Sequence, residues 1–167
     1  SAHGEAKGGL SALGREAITR MESLKMIVDL AHVSPAAFDE ALAMATRPVV
    51  VSHGGVRATC PGPRNLTDDQ LRALAAKGAL IGIGFWDGAI CSSSPRAIAK
   101  AIRHAVDVAG IDHIALGSDW DGGTTVAFGA DGIAQLTQAL LDARFSEAEI
   151  RAVMGENAIR FLLANLP

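Results

Sequence analysis

The sequence is poor in the residues that build several common classes of protein. It contains no tyrosine, and aromatic residues make up 4% of its 167 positions. Two cysteines are too few for a disulfide scaffold or a zinc ribbon. Charged residues are only 20%, against 49% apolar, which excludes a disordered chain and indicates a compact soluble domain. Lys plus Arg is 15 and Asp plus Glu is 18, so the net charge is −3 and the basic excess usual for nucleic-acid binding is missing. No uninterrupted run of about 18 apolar residues occurs, so no transmembrane segment is expected. Residues 1–9 are polar and glycine-rich, with no apolar signal-peptide core, and no anchor is visible, which leaves localisation open. What takes the place of bulky residues is alanine and 18 glycines, small side chains that suit close packing of helices on a sheet. No linker or low-complexity stretch divides residues 1–167, so a single domain is expected.

Short β-branched or apolar runs alternate with longer Ala/Leu-rich segments at helical period. The runs at 26–31, 48–52, 79–85 and 113–117 read as buried strands. Between and around them, 15–24, 36–45, 70–77, 95–109, 133–143 and 146–163 read as helices. Their ends carry punctuation. Ser34-Pro35 and Ser94-Pro95 each supply a cap followed by proline at the first helical position. Thr67-Asp68-Asp69 caps the helix that Gly78 ends, and Ser146 with Glu149 makes a capping box. The order is a helix, then four successive βα units, then closing helices. Strands separated by helices imply an α/β fold with a parallel sheet and right-handed crossovers.

Each strand run ends in an ionisable or Gly/Asp group. The first ends at His32, the second at His53, the third at Trp86-Asp87, and the fourth at Ser118-Asp119-Trp120-Asp121-Gly122. In parallel α/β proteins the carboxyl ends of the strands build the active site. Neighbouring strands lie about 4.8 Å apart, so imidazoles at the same level can converge on one metal. A catalytic zinc normally takes three protein ligands, however. No His-x-His or His-x-Asp pair stands on a strand, and His3-Gly4-Glu5 reads as solvated loop. The site counted from these residues alone is short of ligands. The stretch Asp119-Trp120-Asp121-Gly122-Gly123-Thr124 looks superficially like the haloacid dehalogenase phosphatase motif, but Gly123 interrupts it and it stands late in the chain.

With these residues in hand, the sequence resembles the membrane dipeptidase family (renal dipeptidase, peptidase M19). The segments that carry the resemblance are Val28-Asp29-Leu30-Ala31-His32-Val33-Ser34, Pro48-Val49-Val50-Val51-Ser52-His53, Pro63-Arg64-Asn65-Leu66-Thr67-Asp68-Asp69 and Gly117-Ser118-Asp119-Trp120-Asp121-Gly122. The tail Gly155-Glu156-Asn157-Ala158-Ile159-Arg160 also fits. The resemblance implies a (β/α)8 TIM barrel with a binuclear zinc site that hydrolyses small dipeptides. The matching motifs belong to strands five to eight of that fold, so it implies that these residues are the C-terminal half of a barrel. The ligands of the other zinc and the bridging Glu belong to the N-terminal half.

The resemblance also assigns roles. His32 and His53 are implied as ligands of one zinc; each must be neutral to bind, so metal binding is expected to weaken in acid. Arg64 is implied as the residue that holds the substrate's terminal carboxylate, a task suited to a bidentate guanidinium; Arg57 is the weaker candidate. Asp119 is implied as a catalytic proton carrier. Cys60 and Cys91 match positions that form a disulfide in secreted members, and their Cα atoms are expected within about 7 Å. Asp29 reads as a buried hydrogen-bonded structural group on the other face of its strand from His32. Asp121, His104 and His113 read as structural, and Trp86 and Trp120 as candidates to wall a small pocket. The alternative function is a catalytically inactive fragment or binding and assembly module of the same fold. Either way the exposed apolar edge of a half barrel is expected to pair, with the N-terminal half or in a homo-oligomer.

Overall fold

The computed structural model describes residues 8–92 and 94–167. His3-Gly4-Glu5, read above as solvated loop, lies outside the described residues. The centre of the fold is a parallel sheet of three strands in sequence order: β1 (Val50–Gly54), β2 (Leu80–Ile83) and β3 (Ile114–Leu116). Val51 stands opposite Ile81, and Ile81 opposite Ile114; the β1–β2 register shifts between Val51 and Gly54.

The expected first strand, 26–31, is reduced to one parallel bridge between Asp29 and Val50. Leu30 N–H donates to Val50 O at 2.8 Å, and Val50 N–H to Val28 O at 2.9 Å. The backbone explains the shortness. Lys25 has φ 58° and His32 has φ 65°, left-handed conformations that turn the chain into and out of the bridge. The Asp29 carboxylate also draws in the Ala31 N–H at 3.0 Å, bending the segment away from the sheet. Three strands and a bridge thus replace the four strands expected.

The helices follow their sequence signals closely. Before the sheet come α1 (Ala12–Ser23) and α2 (Pro35–Met44), capped by Ser11 and Ser34. Between strands lie α3 (Asp68–Ala76), with a Thr67–Gln70 capping box, a short α4 (Asp87–Ile90) that the sequence did not announce, and α5 (Pro95–Ala109). After β3 come α6 (Ala134–Asp142), α7 (Glu147–Arg151) and α8 (Asn157–Asn165). The last two were expected as one helix. A π-helical turn at Ala152–Glu156 separates them, with Gly155 outside helical geometry at φ 170°, ψ −30°. The break lets Asn157 turn inward. It is 1% exposed, and its Nδ2 donates to Ile111 O and Ile114 O at 2.7 and 2.8 Å, tying the helix to the start of β3.

Both sheet faces are covered. Val49, Val51, Ile81, Ile83 and Ile114 belong to the main core with Leu71, Leu74, Ile98, Ile102, Leu136 and Leu140 of the helices. Leu80 and Ala115 form a second cluster with Phe161 of α8, Ile27 and Val50. This is the alternation expected of a strand, period two, with each face given its own apolar partner. At about 1.5–3 kcal/mol for each fully buried large side chain, it is the main source of stability. Among the described residues no helix is long and apolar enough to cross a membrane.

Candidate functional site

The site lies at the carboxyl ends of the strands. His53 is the fourth residue of β1, and Ser52 beside it places Oγ 2.9 Å from His53 Nδ1. His32 enters from the bend after the Asp29 bridge. Its Nε2 stands 2.8 Å from His53 Nε2, with ring centroids 4.9 Å apart and nearly edge-to-face. Arg64, from the loop between β1 and α3, places Nη2 3.0 Å from His32 Nε2 and Nη1 3.4 Å from His53 O. A guanidinium can only donate, so His32 Nε2 accepts and turns a lone pair toward this point. Asp119, in the loop after β3, holds Oδ1 4.0 Å from His53 Nε2. The His53 and Asp119 side chains are only 19% and 14% exposed. Together with Ser118 and Gly122 they edge an open cleft of about 470 Å³.

Three supports hold these groups. The Asp29 carboxylate accepts from the backbone N–H of Ala31 and of Ser52, both at 3.0 Å, joining the segments that carry the two histidines. Asp29 was expected to be buried; it is hydrogen-bonded but exposed, because its partners are backbone groups at the open end of the sheet. Asp119 has φ 58°, and its backbone oxygen accepts from Gly122 N–H at 3.1 Å and Thr124 Oγ1 at 3.0 Å. A Cβ on Gly122 would lie 2.1 Å from Asp119 Oδ1, so a larger residue there would push the carboxylate from its place. Burial lowers the Arg64 guanidinium from its ordinary value, and the negative charges of Asp119 and Asp29 oppose that. A guanidinium stays a cation at any physiological pH, and the two carboxylates favour that charge here.

Trp86, just after β2, walls the site: its ring is 5.9 Å from that of His53, and Arg64 Cζ lies 5.7 Å from its centroid. Trp120 does not share that wall. It packs on Phe85, and its Nε1 donates to Phe128 O at 2.9 Å. Arg57 is exposed and lines a small pocket together with His32 and Arg64. His104 bonds Asp68 across two helices at 2.8 Å, and His113 bonds Ala79 O at 2.9 Å at the opposite end of the strands. Asp121 is exposed, and the turn that follows is held by the Asp119 backbone instead.

Cys60 and Cys91 are joined by a disulfide, with Cα atoms 5.3 Å apart. It links the loop after β1 to the loop after α4. Neither Ser52 nor Asn65 is singled out by the sequence, and Asp29 reads there as hydrogen-bonded without its partners being identified. Ser52 was detectable as the hydroxyl next to a candidate ligand; Asn65 only by its place beside Arg64.

The histidine pair fits a zinc ion in the chemistry of its donors: two imidazole Nε2 atoms lie 2.8 Å apart, and a hydroxyl sits on the far nitrogen of His53. Among the described residues no group of three or more His, Cys, Asp or Glu is arranged to hold a metal. The pair therefore fits as part of a ligand set.

The profile of the membrane dipeptidase family (peptidase family M19) matches residues 1–165. The chain is 35% identical over 163 residues to an uncharacterized protein in the pqqA 5' region of Klebsiella pneumoniae, covering 92% of this chain and 60% of that protein. It is 33% identical over 160 residues to the dipeptidase verJ of Clonostachys rogersoniana, covering 93% and 41%. Its fold superposes with a TM-score of 0.81 and 29% identity on a metallopeptidase from Rhodobacter sphaeroides liganded with a phosphinate mimic of the dipeptide L-Ala-D-Ala, over 94% of this chain and 47% of that one. The chain thus spans between 41% and 60% of the length of these curated relatives. By the profile match over nearly its whole length, and by a fold shared with a metallopeptidase, this chain belongs to the membrane dipeptidase family, peptidase family M19.

Proposed function

We propose that this chain carries one part of a zinc-dependent dipeptidase site. On this reading it supplies strands five to eight, the C-terminal half of a (β/α)8 barrel, and acts on small dipeptides such as L-Ala-D-Ala. The observation that carries it is the convergence of His32 Nε2, His53 Nε2 and Arg64 Nη2 within 3.0 Å steps, with Asp119 close by, at the carboxyl ends of parallel strands. The coverage of about half the Rhodobacter chain supports the half-barrel assignment.

His32 and His53 would hold one zinc through Nε2, with the remaining ligands and the second metal's set contributed by the other half. Zinc, when bound, polarises a carbonyl and lowers the pKa of a water toward neutrality. The chain's own residues do the rest. Arg64 binds the carboxylate at the C-terminal end of the dipeptide, which fixes the direction in which the substrate lies. Asp119 receives the proton of the attacking water at Oδ1 and delivers it to the leaving amine. Trp86 forms an apolar wall beside His53 and Arg64. A substrate without a free carboxylate loses the Arg64 contact and binds worse.

Zinc binding and hydrolysis test the reading separately. Equilibrium dialysis against zinc with elemental analysis is expected to show weak binding by this chain, abolished in His32→Ala and His53→Ala. L-Ala-D-Ala hydrolysis is expected once the N-terminal half is present, by addition or as part of a longer chain. Zinc binding indifferent to both substitutions would overturn the ligand assignment. No turnover with the site fully loaded would favour an assembly module instead.

A further inference from the structure

Asn65 is the most deeply buried polar side chain near the site, at 2% exposure, and it stands next to Arg64. Its Nδ2 reaches three carbonyl oxygens: Cys60 O at 2.7 Å, Gly88 O at 3.1 Å and Ala89 O at 3.3 Å. The first belongs to its own loop and the other two to α4, which follows Trp86. A four-residue helix leaves most of its carbonyls without helical partners, and Asn65 satisfies two of them. The fit is close on the other side as well. A Cβ on Gly55 would lie 2.1 Å from Ala89 O and 2.4 Å from Asn65 Oδ1, so only glycine leaves room for the amide.

We propose that Asn65 is a positioning residue for Arg64: by joining the β1–α3 loop to α4 it sets where the Arg64 guanidinium meets the substrate carboxylate. The inference rests on Arg64 having that role. Trp86, which caps the start of α4, is held by the same junction, so the Arg64 guanidinium and the Trp86 ring keep their 5.7 Å separation. The Cys60–Cys91 disulfide crosses the same two segments but is attached four residues from Arg64 and at the far end of α4. It limits how far the loops part; the amide beside Arg64 sets the direction of the side chain. Only an amide of this size presents two N–H groups to three carbonyls. Aspartate in its place would set carboxylate oxygens against them.

The test is a comparison of two substrates in the active protein that contains this chain: L-Ala-D-Ala and its C-terminal amide. Wild type is expected to prefer the free carboxylate, and Arg64→Ala to abolish that preference. Asn65→Asp is expected to lose at least about tenfold of the preference, through KM, while kcat/KM on the amide stays within about twofold. Asn65→Ser, smaller and with one donor left, is the second variant should the aspartate not fold, with an intermediate loss. A preference retained in the Asn65 variants, or a proportional loss on both substrates, overturns the positioning role and leaves a structural one. Wild type that cleaves neither substrate, or Arg64→Ala that keeps the preference, overturns the dipeptidase reading of Arg64 and this inference with it.

Discussion

At the scale of single residues, the site is held by side chains that bind backbone groups and so fix where neighbouring segments run. Ser52 does this for a ring nitrogen: its hydroxyl 2.9 Å from His53 Nδ1 sets the ring's orientation. Partners of this kind typically contribute about 10–100-fold to metal affinity. Ser52→Ala is therefore expected to lower zinc affinity by about that factor in a chelator competition, with little change in thermal stability. Unchanged affinity would mean the hydroxyl does not orient the ring. His32, His53, Arg64 and Asp119 were legible in the sequence because each follows a strand run or sits in an ordered motif. Asp29 was legible only in type. Its exposure depends on which backbone N–H groups lie across from it, and those come from residue 52, far along the chain.

At the scale of elements, junctions decide more than helix propensity does. Glu22, near the end of α1, accepts from Thr46 Oγ1 at 2.7 Å and from the backbone N–H of Thr46 and Arg47 at 2.9 and 3.1 Å. Burial raises its pKa, but these bonds and the Arg47 charge outweigh that and hold it below its usual 4.5. A carboxyl depressed in the folded state contributes stability that is present above about pH 4.5 and is lost as pH falls through its lowered value. Glu22→Gln is expected to lower stability at neutral pH and flatten the acid limb of a pH-dependent unfolding curve; an unaltered limb would remove Glu22 as its source. Asn157 is the junction at the other end. Asn157→Ala removes the amide donor to the buried Ile114 O, while Ile111 O keeps the Ile114 N–H, and is expected to cost about 1–3 kcal/mol, measurable by urea unfolding. The Cys60–Cys91 bridge, 31 residues apart, is expected to contribute about 3–4 kcal/mol by restricting the unfolded chain. Comparing oxidised and reduced protein in the same titration checks it. Helix boundaries were legible within a few residues because caps are local. The π turn was not, since it exists to bring Asn157 under β3.

At the scale of the whole molecule, the three-stranded sheet is covered on both faces, yet large apolar side chains remain outside. On α8, Ile159, Leu162 and Leu163 are 59%, 44% and 80% exposed, at the i, i+3, i+4 spacing of one helix stripe, and Leu166 just beyond its end is 51% exposed. A stripe of that kind marks a surface made to be covered. The chain by itself is expected to associate in a concentration-dependent way, seen by sedimentation, and Leu163→Lys with Ile159→Lys is expected to suppress it. A strictly monomeric wild type would contradict this. The sequence by itself determined the order of strands and helices, their caps, and which polar residues stand at strand ends, because period and punctuation are local properties. The tertiary structure decided that the first strand is only a bridge, that Asp29 and Asn65 serve as ties, and that Trp86 rather than Trp120 borders the histidines. Each of these depends on a partner brought near by the packing of helices on the sheet, and no local pattern records that.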